Sequence, residues 1–236
     1  MIYLTGDIHG DPQNVVIFCK RMRLTKNDTV ILLGDVGANY YGDERDELLK
    51  NILSALHPAV LCVHGNHEKR PERIGGYSLV RWKEGRVWVQ EKHPNLFFAR
   101  DGDIYRIEEH RFLVIGGAYS VDKYHRLAAG AGWWDDEQPS EEIRKKVERQ
   151  IASKVFDHIL SHTCPYKYIP REMFLPGIDQ SSVDDGTERW LDGIEEKAVY
   201  KAWYCGHWHT DKRIDRIHFL FRSFESIEKD GNLNNE

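Results

Sequence analysis

Apolar residues in this chain gather in short runs rich in Val, Ile and Leu, and between those runs the apolar positions recur every three or four residues among charged ones. The short runs at 2–4, 30–33, 60–63, 112–115, 158–160 and 202–205, with the alternating stretch 214–221, predict β-strands. The intervening stretches 12–22, 44–56 and 141–154 carry a helical period, and Ser140 ahead of Glu141 and Glu142 supplies an N-cap with acid in the first turn. Runs of strand alternating with helix predict an α/β protein. Residues 118–139 and 163–185 follow neither period and are expected to be long loops. Loops of that length in a compact domain are usually functional.

Length and composition narrow the picture. A chain of 236 residues with 41% hydrophobic content fits one domain, expected to span 1–236, with a full core. The formal net charge is -5 with both signs interspersed, which disfavours a nonspecific grip on nucleic acid. Cys19, Cys62, Cys164 and Cys205 are widely spaced and mostly lie in or beside apolar runs, as core thiols in a reducing compartment do. No signal-peptide pattern or membrane-length apolar run is present in the sequence. The expected location is cytoplasmic, with no membrane partner.

The polar residues that close the strands carry the chemistry. GDIHG follows the first run, placing Asp7 and His9 two residues apart, a spacing at which extended side chains point the same way. GDVG with Asp35 follows the second run and GNHE with Asn66 and His67 the third. His162 follows the run at 158–160, and GHWH with His207 and His209 follows the run at 202–205. Ligands of open α/β sheets bind outside the carboxyl ends of the strands, so these residues converge on one rim. The adjacent glycines permit tight turns. Carboxylate, imidazole and amide donors without a thiolate suit a hydrolytic Mn, Fe or Zn site better than a closed structural zinc. Taken singly, Asp7 reads as a helix cap and His162 as a core histidine. His57, His64, His93, His110, His125, His158 and His218 are read as structural, with His64 nearest the rim.

In this order, GDIHG, GDVG, GNHE, a lone His after a strand and GHWH resemble the calcineurin-like metallophosphoesterase superfamily, over nearly the whole chain. The resemblance implies a four-layer αββα sandwich of two mixed β-sheets flanked by helices, in place of a single open sheet. It implies two divalent metals, one held by Asp7, His9 and His209 and the other by Asn66, His162 and His207, with Asp35 bridging. Mn is favoured, with Fe, Zn or Ni as alternatives. His67 matches the histidine that assists the leaving group as a metal-bridging hydroxide attacks phosphorus in line. The implied activity is phosphate monoester hydrolysis on a phosphorylated small molecule, nucleotide or phosphoprotein. The alternatives are a phosphodiesterase or nuclease acting on cyclic nucleotides or nucleic acid, and a non-catalytic scaffold of the same fold.

One block departs from the protein serine/threonine phosphatases of that superfamily. Their GDxxDR supplies an aspartate that supports the histidine and an arginine that contacts phosphate, whereas Gly34 to Asn39 here reads GDVGAN. Asp43 or Glu44 are the candidate replacements for the aspartate. A broader bacterial or phage phosphoesterase is the better match. Residues 118–139 offer Lys123 and Arg126 as phosphate contacts and Trp133, beside Trp134, as a stacking surface for a base or ring.

Overall fold

Strict alternation in the central strands sends neighbouring side chains into different cores. The computed structural model describes residues 1–174 and 183–227. Residues 175–182 of the second expected loop and 228–236 of the expected domain lie outside the described residues. The first half of the chain forms β1 (Ile2–Thr5), α1 (Gln13–Arg21), β2 (Thr29–Leu32), α2 (Glu44–Ser54), β3 (Ala59–Cys62), β4 (Tyr77–Trp82), β5 (Gly85–Gln90), β6 (Leu96–Ala99), β7 (Ile104–Ile107) and β8 (His110–Ile115). The second half forms α3 (Lys123–Ala128), α4 (Glu141–Ser153), β9 (His158–Ser161), α5 (Gly186–Lys197), β10 (Ala202–Cys205), β11 (Lys212–Ile214), β12 (Ile217–Phe219) and β13 (Glu225–Ile227).

These strands make two mixed sheets, a seven-stranded one ordered β13-β1-β2-β3-β6-β5-β4 and a six-stranded one ordered β11-β12-β10-β9-β8-β7. Ile2, Leu4, Ile31, Leu33, Leu61 and Val63 of the first sheet meet Phe112, Val114, Leu160 and Tyr204 of the second in one buried cluster. Their chain neighbours Tyr3, Val30, Leu32, Val60 and Cys62 pack instead with Val15 and Cys19 of α1 and Leu49 and Leu53 of α2. Leu113, Ile115, Ile159 and Trp203 do the same with Val147 of α4 and Leu191 and Ile194 of α5. The expected four layers follow from this period of two. All four cysteines are free and buried. Among the described residues no helix is long and apolar enough to cross a membrane.

The expected helices appear within two residues of their ends, and the Ser140 hydroxyl accepts from the Ile143 amide as the cap. The expected loop 118–139 contains α3, and the expected strand 214–221 holds only β12 and the last residue of β11, which pair as a hairpin. β1, β2 and β3 run parallel, as do β8, β9 and β10. The carboxyl ends of each trio therefore lie on one rim.

Three imidazoles stand on the inward face of the second sheet. His110, His158 and His218 are all buried, and His158 packs against Phe112 at 5.2 Å and Tyr204 at 5.7 Å. Burial depresses the pKa of His158 to about 4, with the charge of His110 adding to the effect, while Asp157 opposes it and Lys201 adds. The folded ring is neutral where an unfolded imidazole, near 6.5, takes a proton. Its contribution to stability is complete above that value and is lost as pH falls toward 4. His158→Phe keeps a ring and removes the base, so its Tm should fall less steeply than wild type between pH 6.5 and 4. Parallel Tm profiles would rule out His158 as the titrating group.

Candidate metal centre

Each candidate ligand lies past the end of a strand, and four of the seven sit on a backbone conformation that few side chains adopt. His9, Asp35, His207 and His209 have φ of 44°, 46°, 67° and 48°, in the left-handed region that disfavours residues with a Cβ. Non-glycine residues are held there only when the surroundings over-determine them, and such strain clusters at functional sites. Glycines let the loops close on the carboxylates. A Cβ on Gly206 would stand 2.3 Å from Asp7 Oδ1 and 2.9 Å from the Leu33 carbonyl.

Two groups of donors result. Asp7, His9 and His209 form one, and Asp35, His162 and His207 form another, each with ligand atoms within 4.8 Å of one another. In the first, His209 Nε2 lies 3.2 Å and His9 Nε2 3.7 Å from Asp7 Oδ2. In the second, His162 Nε2 lies 3.4 Å from Asp35 Oδ1 and 2.9 Å from Asn66 Oδ1. Asp35 Oδ2 turns toward the first group, 4.0 Å from His9 Nε2. His67 joins His9 and Asp35 in a third group, its ring 5.3 Å from that of His9. The second group is the deeper one, with the His162 side chain fully buried while those of His9 and His209 are 35% and 49% exposed.

The residues fit divalent metal on the structure's own terms. Asp7 Oδ2 is buried and accepts no well-formed hydrogen bond, its nearest polar neighbour being the His209 imidazole at 3.2 Å, an expensive state for a carboxylate that a cation relieves. His162 Nδ1 is 2.8 Å from the Leu33 carbonyl, which fixes the ring and aims Nε2 into the group, as ligating histidines are held. Burial opposes charge on both Asp35 and His162, yet their mutual attraction prevails. It holds Asp35 far below the ordinary carboxylate range and raises His162 to about 9. A proton and a metal compete for that nitrogen. Burial and the Asp35 charge push neighbouring Glu68 up to about 8.

A family model for calcineurin-like phosphoesterases matches residues 1–211. The chain belongs to that family. No curated protein matches the chain significantly. Among solved structures, TT1561 of Thermus thermophilus superposes with a TM-score of 0.50 at 14% identity, covering 87% of this chain and 80% of that one. Phosphopantetheinyl hydrolase (PptH) from Mycobacterium tuberculosis gives 0.41 at 13% identity, with 93% and 87% covered. The calcineurin-like phosphoesterase YfkN from Bacillus subtilis gives 0.40 at 13%, with 89% and 72% covered.

In this phosphoesterase the segment 118–139 braces the centre. Asn66 Nδ2 donates to Ser120 Oγ (3.0 Å), leaving Asn66 Oδ1 facing His162. Ser120 Oγ in turn donates to Glu137 Oε2 (2.5 Å) and accepts from Arg126 Nη1 (2.9 Å), so all its hydrogen-bonding capacity is used. Arg126, expected as a phosphate contact, is committed to this brace. Its side chain is 4% exposed and engaged by Ser120, the Gly132 carbonyl and Asp122. Lys123 and Trp133 are occupied with each other, Nζ lying 4.2 Å from the ring centroid.

The carboxylate beside His67 is Asp122, with Oδ1 3.9 Å from Nε2. Asp43 instead caps α2 and pairs with Arg45, and Glu44 opens that helix. Burial holds His67 below its ordinary pKa, against the pull of Asp35, with Arg126 lowering it further and Asp122 opposing. At the departure from GDxxDR, the buried Asn39 accepts from the Tyr77 hydroxyl at 2.8 Å. Asp122, Ser120 and Glu137 carried no sequence signal beyond their place in a long irregular segment, whereas Glu68 stood in plain sight in GNHE.

Proposed function

We propose that this phosphoesterase hydrolyses phosphate monoesters at a pair of divalent metals. Asp7, His9 and His209 would hold one metal, Asn66, His162 and His207 the other, and Asp35 would bridge them. Mn is favoured, with Fe, Zn or Ni as alternatives. The observation that carries the reading is the placement of Asp35 between the groups, Oδ1 toward His162 and Oδ2 toward His9. Bound there, two cations supply Lewis acidity toward water and the phosphoryl oxygens.

The chain's own residues do the rest. The His67 amide donates to Asp35 Oδ1 at 2.8 Å, so the backbone that carries the imidazole is tied to the bridging carboxylate. His67 would be the proton donor to the leaving oxygen, and Asp122, with Oδ1 3.9 Å from Nε2, favours the protonated ring by its charge. The buried brace of Ser120, Glu137 and Arg126 keeps the Asn66 oxygen available. A net charge of -5 favours a small or peptidic monoester over nucleic acid. Free buried cysteines support a cytoplasmic setting.

The test is turnover of 4-nitrophenyl phosphate and bis(4-nitrophenyl) phosphate by Mn-loaded and chelated protein. Monoester turnover should dominate, vanish on chelation and return with Mn. On an alkyl phosphate, whose leaving group needs a proton, His67→Ala should lower kcat by about 10²- to 10⁴-fold. The loss should be smaller on the nitrophenyl ester. Asp122→Asn should follow the same dependence on leaving group to a lesser degree. Dominant diester turnover, or no turnover by metal-loaded protein, would overturn the reading.

A further inference from the structure

His209 is held differently from the buried ligands. Its side chain is 49% exposed, and among the described residues its Nδ1 finds no acceptor, whereas His162 Nδ1 faces the Leu33 carbonyl at 2.8 Å. A ligating histidine is normally fixed through its second nitrogen. Here the ring is fixed by its face, against Phe221, with centroids 4.6 Å apart and planes 18° from parallel.

Phe221 lies beyond the last of the motif blocks, GHWH. β12 runs parallel to β10, so the chain leaving it emerges on the rim that carries the His207–His209 turn. It then crosses to the other sheet, where β13 pairs with β1. The crossing packs against the start of the Asp7 loop. A Cβ on Gly6 would stand 2.0 Å from the Leu220 carbonyl oxygen and 2.7 Å from Phe221 Cα, and the Leu220 amide donates to the Cys205 carbonyl at 2.9 Å.

Asp211 fixes this crossing. Its carboxylate accepts from the amides of Phe221 (2.8 Å), Arg222 (3.2 Å) and Ser223 (3.2 Å) and from the Ser223 hydroxyl, four donors that a carboxylate has the lone pairs to satisfy. Asp211 stands two residues after His209. The loop that carries the ligand therefore grips the loop that carries the ring stacked on it.

We infer that Asp211 and Phe221 are positioning residues for the first metal. Asp211 sets the turn, and the Phe221 face holds the His209 imidazole with Nε2 toward Asp7 Oδ2, 3.2 Å away. The inference rests on the proposed pair of metals. It implies an asymmetry: loss of either residue weakens the group of Asp7, His9 and His209 and spares that of Asn66, His162 and His207, which is braced separately by Ser120 and the Leu33 carbonyl.

Calorimetric titration of chelated protein with Mn tests this, alongside the electron paramagnetic resonance spectrum of the loaded protein. Wild type should bind two ions and give the spectrum of a coupled pair. Phe221→Ala and Asp211→Ala should each weaken one ion by about 10- to 100-fold, the range for outer-shell partners, and leave the other unchanged. Below saturation of the weakened group, their spectra should be those of an isolated ion. Phe221→Tyr keeps the ring face and should keep both affinities. Asp211→Asn, left with one acceptor oxygen, should fall between Asp211→Ala and wild type. Equal weakening of both ions, or two wild-type affinities, in an alanine variant would overturn that residue's role and leave the two-metal reading standing. A single bound ion in wild type would overturn that reading as well.

Discussion

Asp35→Asn should lower kcat/KM by about 10³-fold or more, and the purified variant should carry less than its full complement of metal. Outer-shell partners of a metal site typically cost about 10- to 100-fold when lost, and a shared ligand touches both ions. The carboxylate is buried at 2% exposure, with one oxygen toward His162 and the other toward His9. Asparagine keeps the shape but offers an oxygen to one group and an NH₂ to the other. Whichever way the amide turns, one group loses its acceptor and both lose half of a shared charge. Stability should fall as well. The attraction between Asp35 and His162 outweighs the cost of burial in the metal-free protein, and an amide leaves the buried His162 without its charge partner, so the metal-free variant should melt below metal-free wild type. Elemental analysis, kinetics and paired melting curves with and without Mn separate the effects. Two bound metals with activity within tenfold of wild type would remove Asp35 from the bridging position.

What the sequence disclosed and what it hid divide along physical lines. β1, β2, β3, β9 and β10 are almost wholly buried, so each shows as an unbroken apolar run whose end can be located, and the candidate ligands fall at those ends. The strands from β4 to β7 went unread. β4 is largely exposed at a sheet edge and carries Arg81, and its partner β5 carries Arg86. Their pairing is set by a tight turn through Lys83 and Glu84, both with positive φ, which composition does not announce. α5 was hidden because Glu188 and Glu195 lie on its buried side, where a periodic reading expects apolar residues.

At the centre the donors were legible and their supports were not. The blocks GDIHG, GDVG, GNHE and GHWH keep donor and glycine adjacent in sequence. Arg126 meets Ser120 and the Gly132 carbonyl only because α3 folds that segment back on itself. Asp122 reaches His67 across 55 positions by the same fold, a separation at which no spacing rule operates.

Gly65→Ala should be among the most damaging single methyls in the protein. Built on Gly65, a Cβ would lie 2.0 Å from Asp35 Oδ1 and 2.1 Å from the Asp35 amide nitrogen. A side-chain oxygen can swing away, but the nitrogen is backbone on a loop anchored by β2, and the Val63 amide just before Gly65 already donates to the Leu32 carbonyl at 2.9 Å. The two loops must therefore part, which moves Asp35 from His162 and strains the Gly65 amide's bond to Glu68 Oε1, 3.1 Å long. Overpacking of this kind costs about 1–3 kcal/mol, and backbone on both sides argues for the upper end. Gly75→Ala is the matched control, since nothing lies within 4 Å of its Cβ and its backbone is not left-handed. That change should stay within about 0.5 kcal/mol of wild type. Urea midpoints of metal-free protein measure the steric cost alone, and metal content of loaded protein measures what the displaced Asp35 no longer holds. If Gly65→Ala matched Gly75→Ala in both, the close approach of the two loops would not be what sets the position of Asp35.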